Sequence, residues 1–414
     1  MREMKNSGLP WIGIIPDHWE CIRGKYILKY LSKPVKDDDG VITCFRDGEV
    51  TLRSNRREDG FTMADKEIGY QGIDIGDLVV HGMDGFAGAI GISDSRGKAS
   101  PVLNVLDTQQ NKRYIMYYLR SMAYGDVFIA MATGIRVRSC DLRWNKLANF
   151  EYLVPPIEEQ IKIATFLDAK CSEIDALTAD IQAQIETLEQ YKRSTIAEAV
   201  TQGLDSKVDL KDSNLEWIGK VPVHWEIKPN KYLMKKLKQI QHIYDGEDII
   251  SLTVNGVIKR DLDNPSGKMP TSFDGYQFVY PGNLLMCLFD IDVTPRCIGL
   301  IKDFGLTSPA YSQFVLNKGV DAAYYYYYYL NLDFNKELLH LAKNQRHSLN
   351  EEQFGAIKTV VPPFEEQVAI AKYLDERCDE INKCISAKQE QIATLEAYKK
   401  SIIFEYVTGK KEVV

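Results

Sequence analysis

The stretch VPPIEEQIKIATFLDAKCSEID, Val154–Asp175, returns later in the chain as VPPFEEQVAIAKYLDERCDEIN, Val361–Asn382. A shorter phrase, WIGIIPDHWE at Trp11–Glu20, returns as WIGKVPVHWE at Trp217–Glu226, with seven of its ten letters unchanged. The two offsets, 207 and 206 residues, are each about half of the 414-residue chain. The sequence is therefore a tandem duplication. Each copy reads as the tryptophan phrase, a variable region, Val-Pro-Pro and a long apolar-striped segment. Two copies of this size are too few and too long for a solenoid. They predict two homologous halves related by a pseudo-twofold axis, as in a symmetric dimer.

Val-Pro-Pro bars a helix before it and suits a helix that starts after it. Glu158 and Glu159, and in the second copy Glu365 and Glu366, then fall in the first turn, at the positive end of the helix dipole. No Pro or Gly follows in the first copy until Gly203. Leu167, Ile174, Ile181 and Leu188 recur every seven residues, with Cys171, Ile185 and Tyr191 widening the stripe. Leu374, Ile381, Leu395 and Ile402 recur in the second copy, flanked by Cys378, Ile385 and Ile392. Lys388 stands where a further apolar residue would be, and a single polar residue in a seam can fix register. This heptad pattern predicts coiled-coil packing. Each helix would run about 44 residues, roughly 65 Å at the standard rise. Two such helices packed antiparallel would hold two domains apart; the plainer alternative is a bundle inside one core. Gly203 and Gly409 are placed as C-caps.

The variable regions, about Cys21–Phe150 and Ile227–Val360, diverge from one another. Both consist of short apolar runs broken by Gly, Asp and Asn, which is strand-and-turn texture. A helical segment follows in each, YIMYYLRSM and YYYYYYLNLDF, and Tyr117-Tyr118-Leu119 aligns with Tyr328-Tyr329-Leu330. The tyrosine run Tyr324–Tyr329 reads as a helix packed on a sheet in preference to a base-stacking platform. The fold class is then α/β (α+β), with two homologous globular domains separated by two long antiparallel coiled-coil helices. The expected divisions are residues 1–153, the helix 154–204, residues 205–360 and the helix 361–414.

With 45% hydrophobic and 26% charged residues the chain is globular. No run of 18 apolar residues predicts a membrane span, and the N-terminus MREMKNSGLP has no signal-like apolar region. Eight cysteines without a Cys-x-x-Cys pair argue against zinc and a disulfide framework, and for a reducing cytoplasm. The net charge of −7 is an average over unlike segments. Residues 151–216 alone carry −8, while residues 22–150 carry +3 and residues 227–360 carry +1. Cations cluster as Arg53, Arg56 and Arg57, as Arg136, Arg138 and Arg143, as Lys235, Lys236 and Lys238, and as Lys259-Arg260. Nucleic-acid contact needs such local clusters, not a basic whole.

Catalytic motifs are missing. GISDSRGKA, Gly91–Ala99, has the wrong spacing for a phosphate loop and an Ala after its Lys. GFAGAIG, Gly85–Gly91, does not match the dinucleotide fingerprint, and Asp263-Asn264-Pro265 lacks the second Pro of a DNA-methylating tetrapeptide. Six histidines show no ligand spacing. His18 and His224 repeat beside a Trp, which suggests a shared structural role. No catalytic residue and no metal site are expected.

LPWIGIIPDHWE and LEWIGKVPVHWE opening each half, with VPPIEEQ and VPPFEEQ leading into long helices, resemble the specificity subunits of type I restriction–modification systems. The resemblance covers nearly the whole chain. RDGEVTLRSNRREDGFT (Arg46–Thr62) and DLVVHGMDGFAGAIGISDSRGKASPV (Asp77–Val102) also look like one type of target-recognition domain. The resemblance implies a non-catalytic subunit in which each variable domain reads half of a bipartite target in double-stranded DNA. The helices would set the gap. Two modification subunits carrying S-adenosylmethionine would dock, and restriction subunits would bring ATP and Mg, all in the cytoplasm. Arg46, Arg53, Arg56, Arg57 and Arg138 are the DNA-contact candidates in the first domain, and Lys259, Arg260, Lys268, Arg296 and Arg346 in the second. Trp11, Trp19, Trp217 and Trp225 would anchor their phrases against the domain or the helix ends, or else touch a partner. Docking and spacing would involve them together with Glu159, Gln160, Glu366, Gln367, Ile174, Ile181, Leu188, Ile381 and Leu395. Two other readings are a self-contained restriction or methylation enzyme, which needs a cofactor site, and a coiled-coil scaffold that binds only proteins.

Overall fold

The structure, a computed structural model, describes residues 2–56, 68–131, 141–265, 269–342 and 347–413. The chain forms two compact units. The first is Met1–Ile181 together with Gln389–Val414, and the second is Gln182–Lys388. Both long helices, Ile157–Gln202 and Phe364–Val407, therefore contribute to both units. Among the described residues no helix is long and apolar enough to cross a membrane.

The first unit is built on a four-stranded antiparallel sheet in the order Leu28–Tyr30, Leu103–Thr108, Leu78–His81, Ile90–Ile92. Side chains alternate across its two faces, as a pleated strand requires. Leu78, Val80 and Leu106 join a core under the helix Lys112–Tyr124, whereas Val79, Leu103 and Val105 join a second core with Ile42, Val50 and Ile73. The second unit repeats the plan. Its sheet runs Met234–Leu237, Ser312–Leu316, Leu284–Met286, Ile298–Leu300. Leu284 and Met286 face the helix Ala322–Phe334, and Leu285 faces Ile250 and Val279. The smaller two-stranded sheets also have counterparts. Ile42–Cys44 with Val50–Leu52 corresponds to Ile250–Thr253 with Gly256–Lys259. Glu20–Arg23 with Glu151–Val154 corresponds to Glu226–Pro229 with Lys358–Val361. The diverged regions thus share one α+β topology.

The helices over the two sheets begin alike. Asn111 caps the first by accepting from Tyr114 N at 3.0 Å, and Asp321 caps the second by accepting from Tyr324 N at 2.7 Å. The tyrosine run is core: Tyr324, Tyr325, Tyr328 and Tyr329 are fully buried. Three of their hydroxyls donate inside the unit, Tyr324 to Val200 O at 3.0 Å, Tyr325 to Val360 O at 3.0 Å and Tyr329 to Asn230 Oδ1 at 2.6 Å. These bonds correct the alignment of the two helices by one residue. Tyr117 and Tyr327 both donate to a long-helix carboxylate, Asp168 at 2.8 Å and Asp375 at 2.7 Å. Tyr117 therefore matches Tyr327, not Tyr328.

Within each unit the two long helices run antiparallel. In the first, Lys399 reaches Asp175 at 2.6 Å and Phe166 meets Tyr406 with ring centroids 4.4 Å apart. In the second, Lys192 donates to Asn382 at 2.7 Å, and Lys388 donates to Gln184. The seam is narrow, as the heptads predict: Leu167, Cys171, Ile174, Ile181 and Ile185 are buried on one helix, and Leu374, Cys378, Ile381 and Ile402 on the other. Leu188 and Leu395 are half-buried. Tyr191 departs from expectation. It is 49% exposed, because position 191 has rotated off the narrow stripe. Gly203 and Gly409 end the helices at φ 78° and 68°, the left-handed cap conformation.

Candidate DNA-contact surface and the duplicated helix clamp

The duplicated phrases meet in each unit as one cluster. Trp19 is fully buried, and its Nε1 donates to Glu159 Oε2 at 3.0 Å, while His18 Nε2 lies 2.6 Å from Glu159 Oε1. Trp225 is likewise buried. Its Nε1 donates to Glu366 Oε2 at 2.9 Å, and His224 Nε2 lies 2.7 Å from Glu366 Oε1. The His-Trp pair of each phrase thus grips both oxygens of the glutamate that opens the long helix. In the first unit Arg2 adds an ion pair to Glu159 at 2.5 Å. Burial pushes the Glu159 pKa up, but the Trp19 and His18 hydrogen bonds and the Arg2 charge outweigh it and hold the carboxyl below its ordinary value.

The same tryptophans close on the far end of a long helix. A Cβ on Gly409 would lie 2.4 Å from Pro16 Cδ and 3.2 Å from Trp19 Cη2, and one on Gly203 would lie 3.3 Å from Trp225 Cζ2. The next residue of each motif, Gln160 or Gln367, is buried and ties the helix start to the sheet-covering helix. Gln160 Oε1 accepts from Asn111 N at 3.0 Å, and Gln367 Oε1 accepts from Asp321 N at 2.8 Å. Both amides also donate back, to Pro155 O and Pro362 O at 2.8 Å. Trp11 stacks on Phe150 at 6.2 Å, and Trp217 packs against the core of the second unit. The repeated letters are therefore an internal clamp, which explains why they are written twice.

The cationic candidates have no such pairing between units. In the first, Arg46 extends from the tight turn between Ile42–Cys44 and Val50–Leu52, 60% exposed, and donates to Asp84 at 2.8 Å. Arg53 Nε lies 3.4 Å from Thr43 Oγ1. Arg56 is held by Asp47 at 2.6 Å and Glu49 at 3.0 Å, over the Phe45 ring at 4.3 Å. Arg143 is 72% exposed with a loose partner, Asp141, at 3.6 Å. In the second unit Lys259 pairs with Asp248 at 2.7 Å. It shares with Arg260 an open cleft of about 470 Å³ that also contains Glu247, Asp261 and Asp263. Arg296 is engaged internally, donating to Val254 O at 2.9 Å, Ile298 O at 3.2 Å and the Tyr326 hydroxyl. Arg57, Arg136, Arg138, Lys268 and Arg346 lie outside the described residues.

Comparison with known proteins follows the architecture. The chain is 26% identical, over 96% of its length and 94% of the relative, to the type I restriction enzyme MjaVIII specificity subunit of Methanocaldococcus jannaschii. The chain resembles type I specificity subunits from end to end. It is 25% identical to the putative MjaX specificity subunit of the same organism, over 97% of this chain and 96% of that one. A chain from a structural study of complex assembly and conformational transition in the type I restriction–modification system superposes with a TM-score of 0.69. That match is 13% identical, covers 96% of this chain and 99% of the other, and bears on the fold alone. No family model matches.

Sequence reasoning did not single out the apolar residues that begin each long helix. Ile157 and Ile161 are 46% and 49% exposed, and their counterparts Phe364 and Val368 are 50% and 42% exposed. The signal was present: an apolar residue follows each Pro-Pro, and another follows four residues later, off the heptad seam. Tyr191 and Tyr398 form a third matched pair, exposed on the two helices. Asp84 was missed for another reason. It meets Arg46 across 38 residues of chain, and no local pattern marks such a pairing.

Proposed function

We propose that this chain is the DNA sequence-specificity subunit of a type I restriction–modification complex. The observation that carries the reading is the near-identical clamp in two units whose outer turns have diverged. One framework is kept for a repeated role, and the surfaces around it are free to differ. The recognition domains, residues 1–153 and 205–360, would each read half of a bipartite target, with Lys and Arg positioning the DNA backbone and a few side chains reading base edges. The long helices would set the gap between the half-sites. Matched exposed apolar pairs, Ile157 with Ile161 and Phe364 with Val368, suit two equivalent docking places, since repeated apolar exposure favours contact over hydration. Two modification subunits carrying S-adenosylmethionine would dock there, and restriction subunits would supply ATP and Mg chemistry, in the cytoplasm. The chain itself would be non-catalytic.

The test is methylome sequencing after co-expression with the neighbouring methyltransferase subunit in a methylation-free host. The expected result is methyladenine in both halves of a bipartite motif with a fixed unspecified gap. A soluble, co-purifying complex that leaves no methylation would overturn the reading in favour of a protein-only scaffold.

A further inference from the structure

The turn Phe45-Arg46-Asp47-Gly48-Glu49 and the loop His81-Gly82-Met83-Asp84 come together on the surface of the first unit, and both are unusually well fixed. Phe45 N donates to Glu49 O at 2.8 Å and closes the turn. Arg120, on the helix Lys112–Tyr124, donates to Gly48 O at 2.7 Å and to Ile90 O at 2.7 Å. Gly48 has φ 89°, and a Cβ there would lie 1.8 Å from Arg120 Nη2, so only glycine allows this tether. The loop is held from the other side. His81 Nδ1 accepts from Met83 N at 3.2 Å and from Asp84 N at 2.9 Å. Leu142 N donates to Gly82 O at 2.7 Å, and Asn104 donates to Val80 O at 3.0 Å. His81 Nδ1 accepts twice, which requires a neutral ring protonated on Nε2, and burial lowers its pKa in the same sense.

Two fixed segments thus place an exposed cation in a defined position. Asp84 Oδ1 takes a hydrogen bond from Arg46 Nη2 at 2.8 Å, and Asp84 Oδ2 lies 3.8 Å from His81 Nε2. A guanidinium has five N–H donors, and one carboxylate contact leaves a two-donor edge available. Arg46 points outward at 60% exposure. Met83, half-exposed, and Arg143 flank the same loop: Arg143 Cγ would lie 3.5 Å from a Cβ at Gly82. Arg56, in the same candidate set, differs: it already has two carboxylates and a ring face.

Resting on the specificity-subunit reading, we infer that Arg46 reads a guanine of the first half-site through its O6 and N7, and that Asp84 is a positioning residue that presents the guanidinium edge. Guanine is the base that offers two acceptors at that spacing in the major groove, and a bidentate arginine is its natural partner. A carboxylate behind the arginine removes rotamer freedom that binding would otherwise have to quench.

The experiment uses the full chain in complex with its modification subunits. Methylome motifs are compared for wild type, Arg46→Gln and Asp84→Asn, with binding to duplexes in which each guanine in turn is replaced by 7-deazaguanine, which lacks N7. In the wild type, one half-site should contain a guanine whose 7-deaza form binds about tenfold more weakly. Arg46→Gln should make that single position degenerate and insensitive to the 7-deaza base, with the other half-site unchanged. Asp84→Asn should give a smaller loss at the same position. The inference is overturned if no guanine position is 7-deaza-sensitive, or if Arg46→Gln keeps the motif intact. A uniform loss of affinity for all sequences, or degeneracy scattered over several positions, also overturns it. The duplex measurement on wild type requires no variant to fold. A wild-type complex that neither methylates nor binds a bipartite site fails the functional reading itself, whereas a clear motif without the guanine effect fails only this inference.

Discussion

The clamp and the outer turns of the two units obey opposite physical constraints. At the clamp, the Trp-to-Glu bonds are 3.0 and 2.9 Å and the His-to-Glu contacts 2.6 and 2.7 Å, so the two halves agree within a tenth of an ångström. The ion pairs elsewhere in the two units do not match. The first unit buries Asp39 in a paired contact with Arg96 at 2.9 and 2.8 Å and extends Arg46 toward solvent. The second buries Asp333 against Lys336 at 2.7 Å and turns Arg296 inward. The clamp is centred on a fully buried tryptophan whose indole N–H is bonded to a helix-opening glutamate, and losing that partner would leave a desolvated donor behind. Exposed ion pairs contribute little stability and can be exchanged freely. The difference shows how one framework can carry two unlike surfaces.

The largest effect should come from the shared part. Trp19→Ala and Trp225→Ala should each cost about 3–5 kcal/mol in denaturant unfolding, because each removes a fully buried ring from between a helix start and a helix end. Similar losses in the two halves support the equivalence of the clamps; a loss in one alone breaks it. A pH effect belongs to the first unit. Arg96 hydrogen bonding holds the Asp39 pKa down at about 2, from an ordinary 3.8. A depressed carboxylate contributes stability above its unfolded pKa and loses it as pH falls through the folded one. Unfolding midpoints of the wild type should therefore drop between pH about 4 and about 2, and Asp39→Asn should flatten that fall.

Finer contrasts follow. Glu159→Gln should destabilise more than Glu366→Gln, since Glu159 has Arg2 as a third partner, with a difference of about 1 kcal/mol by thermal unfolding. Equal losses would mean that Arg2 contributes nothing. The smallest effect should be that of Arg56→Ala. It should weaken binding slightly and relax only the first half-site in an electrophoretic shift, because Asp47 and Glu49 already neutralise the side chain.

The framework was legible in the sequence because it is local or duplicated. Pro-Pro, paired glutamates and heptads fix the long helices without reference to the rest of the chain, and the second copy marks Trp19, Glu159 and Gln160 as a set. What was not legible depends on distance or on small insertions. Tyr117 could not be matched to Tyr327 by letters in a run of six tyrosines; the Asp168 and Asp375 bonds and the Asn111 and Asp321 caps set the register. Tyr191 fell within an apolar window but outside the narrow seam. The surface partners of Arg46 and Arg296, 38 and 42 residues away at Asp84 and Val254, are set by strand pairing rather than by any motif.

The first unit is made from both extremes of the sequence. Tyr114 donates to Val407 O at 3.1 Å, and Lys410 donates to Ile12 O at 2.8 Å, so residues near the end of the chain complete a domain begun at its start. The second unit, Gln182–Lys388, is one continuous stretch. During synthesis the second unit has all its parts before Gln389–Val414 emerges, while the first waits with an open seam for that segment. A proteolytic nick or frameshift in Gln389–Val414 would therefore strike the first unit and spare the second.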